Sequence, residues 1–335
     1  MRITTALAPR LDRALTSGAP DDLDALVGLE PQDARDRALT LLAVHDLHTA
    51  PLPELGERAR YQGHPAVAEL KTRLEGQWLA ELDAQWGGGD SLAPTGRSGP
   101  ADLTADPQQV LKAMRVVASR NRVPAAYTWL AEQASWAEVV EFLALEGGPD
   151  GGFDDLVAVC QVGLSGSAKL ELGKNYWDEM GKGDPDAVHT VLHERLVAAL
   201  DLPTVPRTHL SLAALERAAL GGLLATNRWL QPEMLGALGL LELQAGPRCR
   251  MVLKAFDRLG APAAAYPFYV EHAEVDPVHG KDWVEKAIVP TAAQHPCWGP
   301  RIVKGAWWRS ALNLRFFDDL HQQLVDQPDQ AGVAA

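Results

Sequence analysis

Apolar residues recur at three-and-four spacing along most of the chain. Clear examples are residues 33–47 (DARDRALTLLAVHDL), 64–86 (HPAVAELKTRLEGQWLAELDAQW) and 232–246 (PEMLGALGLLELQAG). That period places one stripe of each segment on the buried face of a helix. No run alternates apolar and polar residues, so an all-α fold is predicted. Breakers set the boundaries. Residues 87–106 (GGGDSLAPTGRSGPADLTAD) are rich in Gly, Pro, Ser and Asp, lack periodicity and read as a flexible linker. They separate an accessory helical extension (1–86) from a helical domain (107–324), with a disordered tail over 325–335. Within that domain Pro107 opens a helix, Pro124 interrupts it and the glycines at 147–152 close a group of turns. One helix is predicted from Phe153 towards Asp178. Another begins with Asp184 as cap and Pro185 at its first position and runs through His189 to about Leu200. Further helices are predicted over 210–226, 232–245, 248–259, 261–274, 276–288 and 300–324, with a kink at Pro277 if the helix around it continues.

Composition narrows the class. Hydrophobic residues make up 47% and charged residues 22%, so a packed core is affordable on ordinary globular terms. The 31 Lys and Arg against 44 Asp and Glu leave a net charge of −13, which disfavours nucleic acid and anionic membranes as partners. Three widely spaced cysteines (Cys160, Cys249, Cys297) fit a reducing compartment, and a cytoplasmic location is expected. No run approaches 18 apolar residues, and the N-terminus carries no signal-peptide core.

Three groups of residues do not fit a bland helical core. His272, Asp276 and His279 follow one another at spacings of four and three, so on one helix they lie within about 60° of arc. Two imidazoles and a carboxylate on one face can form part of an iron or zinc shell; the plainer alternative is a polar helix end. Glu242 interrupts a helix that is apolar nearly all round, where an ionised carboxylate needs a metal, an arginine such as Arg228 or Arg248, or a raised pKa. Glu179 and His189, ten residues apart, flank the Gly181–Pro185 break, which would let both face one centre; His193 follows one turn later. An acidic cap followed by an ordinary helical histidine explains the same residues.

In this order, Glu179, His189, Glu242, His272, Asp276 and His279 resemble the ligand set of the haem-oxygenase-like diiron oxidases and oxygenases, also described as iron-containing redox enzymes. The surrounding text NYWDEMGKG, GALGLLELQ and HAEVDPVHGKDW is similar as well. The resemblance covers about residues 107–324. It implies a haem-oxygenase-like bundle of about seven helices, with the N-terminal extension outside it, holding two Fe(II) ions in place of haem. By the same resemblance, His189, Glu179 and His279 would bind one iron, His272 and Asp276 the other, and Glu242 would bridge. A further carboxylate from the preceding helix, Asp154 or Asp155, is a candidate seventh ligand.

Such enzymes use O2 on small substrates, and the resemblance implies a small amino-acid-like substrate in bacterial natural-product biosynthesis. Cleavage of a C–H bond would lead to desaturation, fragmentation or cyclisation, with an external reductant where the electron count requires one. Amine N-oxygenation is the alternative within the family. A zinc hydrolase using His189, His193, His272, Asp276 and His279 with Glu242 as base, and a non-enzymatic helical interaction module, are alternatives of other classes. A free amino acid needs a cation for its carboxylate; Arg195, Arg228, Arg301 and Lys304 are the candidates. Tyr176, Trp177, Tyr266, Phe268, Tyr269, Trp307 and Trp308 are candidate pocket walls. A homodimer through the N-terminal helices completes the partner expectations. There is no Gly-rich phosphate loop, no His-Glu-x-x-His helix and no pair of Glu-x-x-His motifs.

Overall fold

The structure is a computed structural model that describes residues 3–87, 106–147 and 152–326. In chain order it begins with β1 (Ile3–Thr5), α1 (Leu7–Ser17), α2 (Pro20–Asp24), β2 (Leu29–Pro31), α3 (Ala34–Thr49), α4 (Leu52–Leu55) and α5 (Pro65–Gly87). Next come α6 (Pro107–Arg120), α7 (Ala125–Glu132), α8 (Trp136–Gly147), α9 (Phe153–Cys160), α10 (Gly166–Glu179), α11 (His189–Leu200) and α12 (Leu212–Ala225). The chain closes with α13 (Gln231–Leu259), α14 (Tyr266–Asp282), α15 (Val289–Gln294) and α16 (Trp298–Asp326); a π-helical turn, Trp283–Ile288, joins α14 to α15.

The described elements are almost entirely helical, as the periodicity predicts, and no helix among them is long and apolar enough to cross a membrane. Contacts divide the chain into two units, one comprising Met1–Asp90 with Pro206–Leu230, the other Ser91–Val205 with Gln231–Ala335. The domain expected as continuous over 107–324 therefore lacks residues 206–230, whose helix α12 packs on α3 instead. The reason is legible in α12 itself: Ala214, Leu215, Ala218, Ala219, Leu220, Leu223 and Leu224 are all buried, too many for one face of a peripheral helix. Nearly all of the expected linker, and the tail from residue 327, lie outside the described residues.

In the first unit, Asp33 caps α3 by accepting from Asp36 N at 2.8 Å. The Asp36 carboxylate in turn accepts from the backbone N–H groups of Leu7 and Ala8 at 2.7 and 2.8 Å, satisfying the start of α1. β1 and β2 form a parallel pair of three residues each, too short to leave an alternating signature in the sequence.

The second unit contains seven described helices of twelve residues or more: α6, α8, α10, α11, α13, α14 and α16. Several boundaries differ from the sequence reading. The single helix expected over 153–178 is broken into α9 and α10, where Gly163 takes φ 83° and Lys169 Nζ donates to the Gln161 carbonyl at 2.7 Å. α11 starts at His189 rather than at Pro185; Asp184 instead forms a turn by accepting from Asp186 N. Conversely, α13 runs through Pro247 and α14 through Pro277. At Pro277 the compensation is visible, because Ala273, four residues earlier, loses its helical donor and its carbonyl accepts from Arg250 Nη1 at 2.7 Å.

Candidate metal centre

Four helices of the second unit converge on one buried cluster. On α10, Glu171, Asn175, Asp178 and Glu179 are spaced so that all four share the buried face. The chain then reverses through Gly181, Lys182 and Gly183 with φ of 60°, 55° and 90°, three successive left-handed residues. A Cβ on Gly181 would stand 2.6 Å from the Ala187 carbonyl carbon, so the reversal is tight enough to demand glycine. It brings His189, at the start of α11, back against the end of α10: His189 Nδ1 lies 2.7 Å from Glu179 Oε2. The break thus does what the sequence reading required of it.

α13 and α14 supply the other candidate ligands, with His272, Asp276 and His279 on α14 and Glu242 on α13. They touch closely because Gly280 faces the backbone of Glu242, where a Cβ would come within 2.9 Å of the Glu242 carbonyl. This seats Glu242 beside His279 and Asp276. His279 Nδ1 lies 3.7 Å from Glu242 Oε2 and 3.9 Å from Asp276 Oδ1.

The six predicted ligands meet as two groups of three, Glu179 with His189 and His272, and Glu242 with Asp276 and His279. Within each group the donor atoms lie within 4.8 Å of one another. All except the half-buried His272 are buried. The division corrects the expected allocation, in which His279 joined Glu179 and His189 while His272 joined Asp276. The arc on a helix brings His272, Asp276 and His279 to one face, but the rise of about 1.5 Å per residue separates His272 from His279 by roughly 10 Å along the axis. One face therefore serves two centres, and Glu242 sits in the second group.

Neighbouring side chains fix which atom each ligand presents. His272 Nδ1 donates to the Phe268 carbonyl at 2.6 Å, leaving Nε2 for the centre, and its ring lies tilted against that of His189 with centres 4.5 Å apart. His279 has the opposite orientation, with Nε2 bonded to Asp178 Oδ2 at 2.8 Å and Nδ1 turned to Glu242 and Asp276. Asn175 Nδ2 donates to Glu242 Oε1 at 2.7 Å. Asp178 and Asn175 were missed in the sequence as functional residues, although both lie in the segment NYWDEMGKG and share a helix face with Glu179.

What these groups lack is positive charge. His279 Nδ1 and Glu242 Oε2 are buried without a hydrogen-bond partner. Burial, followed by the nearby Glu179 charge, pushes the Glu242 carboxyl up to about 8. Asp276 is raised well above its ordinary range by burial and then by Glu242 and Glu179. Burial, helped by His189, lowers His272. Glu242 and Asp276, both pushed towards the protonated form by burial, lie beside His272, which burial pushes towards the neutral imidazole, and this mixture of carboxylate oxygens and imidazole nitrogens is a donor set that fits divalent iron. Asp154 is raised by burial and by Asp155, with a smaller effect of Glu179 that places it near the first group.

The other candidates are engaged elsewhere. Arg301 makes two hydrogen bonds to the buried Glu233, at 2.8 and 2.6 Å, and Lys304 Nζ lies 3.5 Å from the same carboxylate. Arg195 is exposed and pairs with Asp186. Arg228 belongs to the first unit, and Arg248 donates to the Asn121 and Arg122 carbonyls and to Gln244. His193, needed by the hydrolase alternative, packs on Phe268 and against Gly147 and joins neither group. Phe268 also covers the His272 ring at 4.3 Å. Tyr269 is core, packed on Phe256 and Phe268, whereas Trp177 is about half exposed.

A family model described as iron-containing redox enzyme matches residues 140–314, slightly more than half of the chain and all six ligand candidates. Among curated proteins, none matches. The match accords with the all-helical, haem-oxygenase-like fold.

Proposed function

Because the chain belongs to the iron-containing redox enzyme family, and is on that ground an iron-dependent oxidoreductase, we propose that its second unit is a non-haem diiron enzyme that uses O2 on a small amino-acid-like substrate. The observation that carries this reading is the meeting of two three-residue groups of carboxylates and histidines, within which Glu242 Oε2 and His279 Nδ1 are buried without a hydrogen-bond partner. Glu179, His189 and His272 would hold one ferrous ion; Glu242, Asp276 and His279 would hold the other. Three carboxylates against two divalent ions leave a residual charge near +1, which a buried helical core tolerates far better than three bare anions. When bound, the iron pair supplies the O2 chemistry that no amino-acid side chain has, cleaving a C–H bond and leading to desaturation, fragmentation or cyclisation.

The chain's own residues set the conditions for that chemistry. Asn175 holds Glu242 Oε1 and Asp178 holds His279, so neither ligand can rotate freely. Phe268 packs against the His272 ring, with ring centres 4.3 Å apart, and limits how far that ring can turn. The test is anaerobic loading with Fe(II), iron analysis after desalting, and then exposure to O2 with a panel of free amino acids, followed by mass spectrometry of products. Two irons per chain and substrate-dependent O2 consumption are expected. A single ion per chain, or no O2 consumption with any amino acid, overturns the reading, while an N-hydroxylated product would select amine N-oxygenation.

A further inference from the structure

The two donor groups share one strip of backbone. Asp178 and Glu179 are consecutive residues in the last turn of α10, yet they serve different groups: Glu179 belongs to the first, and Asp178 contacts His279 of the second. Asn175, one turn earlier on the same face, contacts Glu242 of the second group. Two of the three ligands of the Glu242 group are thus gripped by a helix that donates no ligand to it.

The grip is directional. Asp178 Oδ2 stands 2.8 Å from His279 Nε2, so the ring proton sits on Nε2 and the Nδ1 lone pair faces Glu242 and Asp276. His279 is 2% exposed and its Nδ1 has no hydrogen-bond partner, so the atom is buried and held ready. On the outer side, Lys182 Nζ approaches Asp178 Oδ1 at 3.7 Å from a backbone with φ 55°, a conformation that points the lysine back along α10. A line of contacts runs from Lys182 through Asp178 to His279.

We propose that Asp178 is a positioning residue that selects Nδ1 of His279 as a metal donor, and that with Asn175 it makes metal binding by the Glu242 group depend on the last turn of α10. The inference rests on the diiron reading and adds to it an unequal dependence of the two groups on residues that touch no metal. Removing the carboxylate lets the His279 ring turn or change tautomer, which weakens the second group and leaves the ligands of the first in place. Partners of this kind are worth about 10–100-fold in metal affinity.

Anaerobic titration of the full chain with Co(II), followed by its visible ligand-field absorption, reads both groups without any turnover. The wild-type chain is expected to take up two ions. Asp178→Ala should retain one binding event at wild-type affinity and weaken the other about 10–100-fold. Asp178→Asn, whose amide oxygen still accepts from Nε2, should recover most of that loss, and a purely structural role for the carboxylate would not produce such a rescue. Asn175→Ala should weaken the same single event, and Glu179→Ala the other one. Two undiminished events in Asp178→Ala overturn the inference while leaving the diiron reading intact, as does equal weakening of both. A wild-type chain that takes up fewer than two ions overturns the diiron reading and the inference together.

Discussion

In the first unit His45, Glu75, Lys71 and Asn227 form a buried network in which the carboxylate is fully engaged. Glu75 accepts from His45 Nε2 at 2.8 Å, Lys71 Nζ at 2.9 Å and Asn227 Nδ2 at 3.0 Å. Burial alone would push its carboxyl up, but the hydrogen bonds from His45 and Lys71 outweigh burial and hold it below the usual range. In the second unit the same residue types reach the opposite state: three carboxylates and three histidines lie together, and Glu242 is pushed up to about 8. The contrast shows that buried His–carboxylate pairs do not by themselves mark a metal centre. What differs is the supply of donors and cations: His45 and Lys71 together hold Glu75 low, and Glu242 has no such pair.

That contrast can be broken by substitution. Glu75→Ala strands Lys71 in a mostly buried place, and losing one partner of a buried ion pair typically costs about 3–5 kcal/mol; the unfolding midpoint should drop while metal stoichiometry per folded chain stays unchanged. Gly280→Ala drives a methyl into the Glu242 backbone, with a cost of about 1–3 kcal/mol from overpacking and loss of the Glu242 group's ion, checked by denaturant unfolding and Co(II) titration. Glu242→Gln should invert the usual sign: the metal-free chain should gain up to about 1–2 kcal/mol at neutral pH by removing a carboxyl that must take up a proton to be buried, while uptake falls to one ion.

A further effect is one of pH. In metal-free protein the folded state favours protonated Glu242, so the stability it contributes is present at low pH and is lost as pH rises from the ordinary carboxylate range to about 8. His45, lowered chiefly by burial, and Glu75, held low, act the other way; their contributions are present at neutral pH and are lost as pH falls below the ordinary histidine range and then the carboxylate range. Peptide-resolved hydrogen exchange across that span should show the first unit loosening in acid and α13 and α14 loosening in alkali. The same trend in both would show that the two clusters are electrostatically alike.

The helical class could be read from the periodicity; Glu242 in an apolar helix and the His272–Asp276–His279 face stood out as local anomalies, whereas Glu179 and His189 joined them as candidates through the resemblance in order. Their division into two groups could not be read from facing alone, since angular position says nothing about distance along the axis; counting rise per residue would have separated His272 from His279. Asp178 and Asn175 were hidden because their partners lie 101 and 67 residues away and an acidic, amide-bearing helix end is ordinary in itself. The prolines misled for a related reason: whether Pro277 ends a helix depended on Arg250, which reaches the freed Ala273 carbonyl from a different helix.

The excursion of residues 206–230 into the first unit bears on how this molecule could be dissected. A gene trimmed at the obvious glycine-rich junction near residue 100 would still encode α12, now stripped of α3 and the rest of its packing surface, and would present a bare leucine- and alanine-rich cylinder to solvent. The N-terminal helices are therefore no detachable appendage but the packing surface for a segment that lies beyond the linker in the chain.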